Sequence, residues 1–261
     1  MIDIENVERE FDKYVAQFNP ENGRIKLKIE HIKRVANMSR EIAQNLNLSQ
    51  DDIKLAETIG FFHDIGRFKQ VEMYNTFSDK DSINHAELSA KLLFEDGLIE
   101  KFKIDEKYYK IIKIAVLNHN KGKIDEGLSE KELLFAKIIR DADKLDIFYT
   151  ICQYDFNSVF WYEDFNCDKI GDIVMKQFMD SRYIHYSDIK CNADQIIIFY
   201  AYIYDLYFDF SLNYLKTKKY LDQFTDRVCQ YFNKPEISKQ VKQLLQISNS
   251  YLENAKENSQ L

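Results

Sequence analysis

Apolar and polar positions recur along this chain with a period near 3.6 residues, a pattern that predicts helices almost throughout. A short helix is expected over Ile4 to Phe18, followed by the turn Asn19-Pro20-Glu21-Asn22-Gly23. From about residue 27 to 46, Ile32, Val35, Met38, Ile42 and Leu46 form one stripe, and His31 lies on it, four residues before Val35. The next helix opens with Ser49 and Asp52 in capping-box spacing, carries Ala56, Ile59 and His63 on one face, and is expected to end near Gly66. A polar loop, Tyr74 to Asp81, leads to a helix with His85, Leu88 and Leu92 in a row and a stop at Gly97. Tyr108, Ile112, Ala115 and His119 make a further row, closed by Asn120-Lys121-Gly122. Ser129 and Glu132 then cap a helix that runs through Ala136, Ile139 and Asp143. Each of the last five of these helices turns one potential ligand toward its apolar side.

Residues 151–261 are rich in aromatics, and Ile196, Tyr200, Ile203, Tyr207, Phe210 and Tyr214 fall in one helical row, read as core packing. Pro235 fits the first turn of a terminal helix carrying Ile237, Val241, Leu244 and Leu252, with a polar tail after Glu253 that is expected to fray. Only seven Gly and two Pro occur in 261 residues, which lacks the turn punctuation of a sandwich or barrel and leaves an all-α fold. With no repeat or linker in view, the chain reads as a single helical domain over 1–261. Its metal-binding core covers about 25–150, and residues 151–261 form a C-terminal helical extension.

The formal charge of −7 changes the picture in one respect. It is shared between the halves, 24 Lys+Arg against 28 Asp+Glu in residues 1–150 and 12 against 15 in the rest, so neither half is a basic patch for nucleic acid or membrane. A small phosphorylated substrate stays compatible, because a few local cations or a metal suffice to hold an anion. Ile196 to Phe210, the most apolar stretch, is shorter than a membrane span and contains Asp205 and Asp209. The first fifteen residues are charged throughout, without the apolar run of a secretory signal. Cys152, Cys167, Cys191 and Cys229 show no C-x-x-C pair and read as reduced, mostly packed thiols, which points to the cytoplasm.

Four of the five histidines, His31, His63, His85 and His119, fall on the apolar faces of different helices. One such histidine alone is more often a hydrogen-bonded core residue than a ligand. Four together, with the pair His63-Asp64 and the run Arg140-Asp141-Ala142-Asp143-Lys144-Leu145-Asp146, make a set. Inward carboxylates demand a metal, a cation or dense hydrogen bonding. Mixed imidazole and carboxylate donors suit Mn²⁺, Fe²⁺, Co²⁺, Ni²⁺ or Zn²⁺, and the lack of thiolates there argues against a structural zinc knot. Adjacent residues differ by about 100° around a helix, so His63 and Asp64 can both be ligands only where the helix ends, an ending assigned to Gly66. No glycine-rich phosphate loop, G-x-G-x-x-G or G-x-S-x-G supports a nucleotide-binding fold of those kinds or a serine hydrolase.

These segments resemble the HD-domain superfamily of metal-dependent phosphohydrolases, with His31 in HIKRVANMS, His63 and Asp64 in FFHDIGRF, and Asp143 in IIRDADKLD. YNTFSDKDSINHAELSAKLL, with His85, and VLNHNKGK, with His119, are similar to the family's intermediate histidine segments, and the likeness spans about Ile25 to Thr150. It implies a helical bundle and a divalent ion, Mg²⁺ included among the candidates, held by His31, His63, Asp64 and Asp143. Asp141 is the runner-up ligand, and otherwise Asp141 and Asp146 sit on a solvated or Lys-paired face. His85 and His119 would bind a second metal, as in binuclear relatives, or contact phosphate, and the second role is the one expected. The adjacent His-His and the Gly-Tyr-Pro of the HD-GYP branch are missing, which disfavours cyclic dinucleotides as substrates.

The implied reaction is attack of metal-bound hydroxide on the phosphorus of a small phosphorylated substrate, a nucleotide being the expected class. Asp64 would accept the proton, and Lys144 and Arg67, each close to a ligand in sequence, would contact phosphate. The alternative is a catalytically silent nucleotide-sensing or protein-interaction module on the same scaffold.

Overall fold

The computed structural model describes residues 2–19, 21–156 and 167–258, and among them there is no strand. Two compact units emerge, Met1–Asp146 and Ile147–Leu261. The pattern of the sequence shows no linker between them because the division falls inside a helix.

The first unit contains α1 (Ile4–Val15), α2 (Gly23–Asn45), α3 (Gln50–Phe62), α4 (Gly66–Tyr74), α5 (His85–Phe94), α6 (Tyr109–Asn118) and most of α7 (Glu130–Gln153). Its caps are local and legible. Asn22 Oδ1 accepts from Arg24 N at 3.0 Å to start α2, and Ser49 Oγ accepts from Asp52 N at 3.2 Å to start α3. At the start of α7, Ser129 N donates to Glu132 Oε2 at 2.8 Å while Glu132 N donates back to Ser129 Oγ at 3.4 Å. Phe11, Phe62, Phe68, Phe102 and Phe135 are fully enclosed with Ile32 and Ile42, each such side chain stabilising the core by about 1.5–3 kcal/mol. The α2 and α3 axes approach closely at Gly60, where a Cβ would lie 2.4 Å from Ala36 Cα.

Three boundaries differ from the periodic reading. Helix α1 stops at Val15, and α3 stops at Phe62, where Ile65 N turns back to Phe62 O at 3.2 Å. Gly66 does not end that helix. It begins α4, an element too short for its few apolar positions, Phe68 and Val71, to stand out as a stripe. Gly66 is needed there for close approach to α5, since a Cβ would meet Ser89 N at 2.6 Å.

The second unit contains α8 (Asp172–Ser181), α9 (Asn192–Ala201), α10 (Asp209–Lys218), α11 (Tyr220–Phe232) and α12 (Pro235–Asn258). Ile237, Val241, Leu244 and Leu252 are buried as expected, on a helix whose backbone runs to Asn258. The expected row from Ile196 to Tyr214 is broken. Ile196, Tyr200 and Ile203 are buried, then the chain tightens into a 3₁₀ turn at Tyr202–Asp205 and extends through Leu206 and Phe208. Tyr207 there is 37% exposed and donates to Asp205 Oδ1 at 2.8 Å. Neither Gly nor Pro marks this break.

The reading of four reduced cysteines is corrected as well. Cys167 and Cys191 are joined as a disulfide, their Cα atoms 6.6 Å apart. Gly171 N donates to Asp194 Oδ1, which draws the segment after Cys167 against the start of α9, and Ile170 pairs with Gln240 of α12 through both backbone groups. Cys152 is the buried free thiol, its pKa pushed up to about 12 by burial. The cytoplasmic assignment loses the support it took from four thiols. Among the described residues no helix is long and apolar enough to cross a membrane.

Candidate metal centre

The first unit delivers most of its candidate ligands from helix ends. His63 is the C-cap of α3, Asp64 lies in the turn before α4, His85 is the first residue of α5, and His119 is the C-cap of α6. His31 and Asp143 come from within α2 and α7. The last carbonyls of a helix have no intrahelical donor, and two are used to aim an imidazole. His63 Nδ1 donates to Gly60 O, and His119 Nδ1 donates to Val116 O, both at 2.7 Å.

Carboxylates aim the other two rings. His31 Nδ1 donates to Asp146 Oδ2 at 2.6 Å, and Asp146 is itself held by Arg34 Nε at 2.5 Å and Nη2 at 3.0 Å. His85 Nδ1 donates to Asp79 Oδ2 at 2.6 Å, and Asp79 Oδ1 accepts from Arg67 Nη1 at 2.9 Å and Gln70 Nε2 at 3.0 Å. With its hydrogen on Nδ1, each neutral ring presents a bare Nε2 lone pair. These face one another, His31 to His63 at 3.4 Å and His85 to His119 at 3.0 Å. Two lone pairs at such distances repel unless a cation stands beside them.

Asp64 lies between the pairs. Its Oδ2 is 3.6 Å from Nε2 of both His31 and His63 and 2.7 Å from Lys28 Nζ. Its Oδ1 is 3.4 Å from His85 Nε2 and 3.6 Å from His119 Nε2, and this buried oxygen has no hydrogen-bond partner. Asp143 Oδ1 joins the first pair, 3.2 Å from His31 Nε2 and 3.7 Å from His63 Nε2. Two groups that could hold a metal ion result, His31-His63-Asp64 and Asp64-His85-His119, each with its ligand atoms within 4.8 Å of one another. The donor set fits divalent ions, and the unpartnered Asp64 Oδ1 is the feature an ion would satisfy.

Electrostatics keep His63, His85, Asp64 and Asp143 in ligand form. Burial lowers the pKa of His63 to about 3, and burial with the Arg67 charge lowers that of His85 to about 4, so both rings stay neutral. Burial alone would raise the Asp64 pKa, but Lys28, His63, His85 and Arg67 carry it well below the usual carboxylate range. Asp143 is lowered against its burial by His31 and the other rings, and Asp79 falls to about 2 through His85 and Arg67. For His31, burial and Lys28 push the pKa down, yet the carboxylates of Asp143 and Asp146 beside it leave it raised.

The remaining sequence candidates fall as follows. Arg67 spends Nη1 on Gln70 Oε1, Phe77 O and Asp79 Oδ1, so it anchors the loop ahead of α5, while its buried Nε stands 3.5 Å from Asp64 Oδ1. Lys144 is buried, not a solvated surface cation. Asp141 and Asp146 are buried too, which corrects the solvated alternative of the solvated or Lys-paired face expected for them. Asp146 is a positioning residue, and with Asp79 and Lys28 it belongs to the site without having been picked out from the sequence. A signal existed for two of them. Lys28 lies three residues before His31 and Asp146 three after Asp143, spacings that share a helix face.

A search across known families finds that residues 29–147 match the model described as HD domain. No curated protein and no solved structure matches the chain.

Proposed function

Residues 29–147 match the HD domain, and we propose that this chain is an HD-domain metal-dependent phosphohydrolase acting on a small phosphorylated substrate, a nucleotide being the expected class. The observation that carries the reading is the inward turn of four Nε2 atoms around both oxygens of one buried carboxylate, Asp64. His31, His63, Asp64 and Asp143 would hold a first ion. For His85 and His119 we favour a second ion over phosphate contact, because their Nε2 atoms face each other and carry no hydrogen to donate in the neutral form.

Bound divalent ions lower the pKa of water toward neutrality and offset the charge of a phosphoryl group. The side chains around them set the geometry. Asp146 and Asp79 fix the planes of His31 and His85, and Gly60 O and Val116 O do so for His63 and His119. The pull that keeps Asp64 ionised suits a ligand better than a proton acceptor, since a strongly acidic carboxyl is a weak base. Arg67, fixed by the loop, lends a charge beside Asp64 rather than a free arm.

The test is metal analysis of the purified protein followed by phosphate release from a panel of nucleoside mono-, di- and triphosphates and cyclic nucleotides with Mn²⁺. Bound metal, and hydrolysis that chelation abolishes, are expected. Metal retention without turnover of any compound would leave the silent sensing or interaction module as the better reading. No bound metal would sink both the ligand assignment and the reaction.

A further inference from the structure

Lys28 is a partly exposed cation at this centre whose ammonium reaches the central carboxylate directly. It sits one helical turn before His31 on α2, and its side chain is 18% exposed. Its ammonium reaches Asp64 Oδ2 at 2.7 Å, the same oxygen that faces Nε2 of His31 and His63. It also stands 5.6 Å from the centre of the Phe77 ring. Arg67, whose guanidinium lies 5.7 Å from the same ring, is tied to three acceptors through one nitrogen. Lys144 is buried. Lys28 by contrast leans on one carboxylate, from a four-carbon stem that can swing without moving the helix.

We propose that Lys28 alternates between two anions, Asp64 when the first ion is absent and a phosphoryl oxygen of the substrate when it is bound. The inference rests on the phosphohydrolase reading and adds a substrate-binding residue to it. A divalent ion held by His31, His63 and Asp64 would compete with the ammonium for the Asp64 carboxylate and repel it. Displaced, the ammonium stays at the solvent-facing rim, where an incoming phosphate needs a counter-charge and where the Phe77 ring offers a cation a favourable resting face. Lys28 therefore holds the carboxylate in place before loading and becomes a phosphate contact after it.

The proposal separates two affinities that a structural lysine would leave together. Lys28→Met should bind Mn²⁺ at least about tenfold more tightly by calorimetry without substrate, because a competing charge is gone. With a substrate that the wild type hydrolyses, the same variant should raise KM, and the inhibition constant of inorganic phosphate, by about tenfold, with kcat changing less. Lys28→Arg should restore much of the phosphate affinity. Unchanged or weakened Mn²⁺ binding in Lys28→Met, or unchanged KM and phosphate inhibition, would overturn the role of Lys28 while leaving the metal centre intact. Failure of the wild type itself to bind Mn²⁺ would instead overturn the reading beneath it. Circular dichroism of both variants checks that the helices persist.

Discussion

Asp64 offers one oxygen to each histidine pair, so its removal is the most informative single change. Asp64→Ala is expected to drop metal content to background and abolish hydrolysis while the helical dichroism persists. Asp143→Ala should weaken the first ion in the same way, read by elemental analysis of the dialysed protein. Asp141, fully buried, should give the opposite result on substitution by Ala, a less stable protein that keeps its metal. Loss of metal in the Asp141 variant with retention in the Asp143 variant would reverse the ligand assignment. One bond further out, Asp146→Asn keeps the shape that holds His31 but removes the charge, and metal affinity should fall about 10–100-fold. The residues that gather at the centre were legible, because period and motif both marked His31, His63, Asp64 and Asp143. Their supports were not: Asp146 to His31 is a contact across 115 residues and Lys28 to Asp64 one across 36, and no local pattern announces such pairings. Even so, the period that put Asp143 inside α7 puts Asp146 there too, and of the solvated or Lys-paired face expected for it the solvated alternative was wrong.

At the scale of helices, position depends on a few close approaches and caps. Gly60→Ala would drive a methyl into the backbone of Ala36, and it should cost about 1–3 kcal/mol in denaturant unfolding. The same carbonyl aims His63, so metal binding should weaken with it. Glu132, held by Ser129 and Lys110 at the start of α7, tests a cap by pH. The side-chain bond from Lys110 and the bonds from Ser129 lower its pKa from 4.5 to about 2. A lowered carboxyl pKa stabilises the fold above its unfolded value, and that contribution disappears as pH falls through the folded one. The melting temperatures of wild type and Glu132→Gln should therefore differ above pH 5 and converge between pH 4.5 and 2. Helices with caps and long stripes were readable in advance. Helix α4 was missed because nine residues with few apolar positions give no stripe, and the break after Ile203 because nothing in the sequence punctuates it.

Over the whole molecule, sparse Gly and Pro foretold the all-α fold, while the division inside α7 and the Cys167–Cys191 pairing stayed hidden, since both depend on how distant segments pack. An ion that binds the folded chain alone adds stability by mass action, about 2.7 kcal/mol at a hundredfold excess over Kd. The thermal midpoint should accordingly climb with Mn²⁺ concentration, and a midpoint indifferent to Mn²⁺ would show that the centre does not take it. The order of the chain sets one more consequence. His31, His63, Asp64, His85 and His119 all precede α7, yet Asp143 and the carboxylate that aims His31 arrive only with that helix. A nascent chain emerging from the ribosome thus displays every imidazole of the centre before Asp143 and Asp146 arrive, so an ion that needs Asp143 would be captured only once α7 has docked.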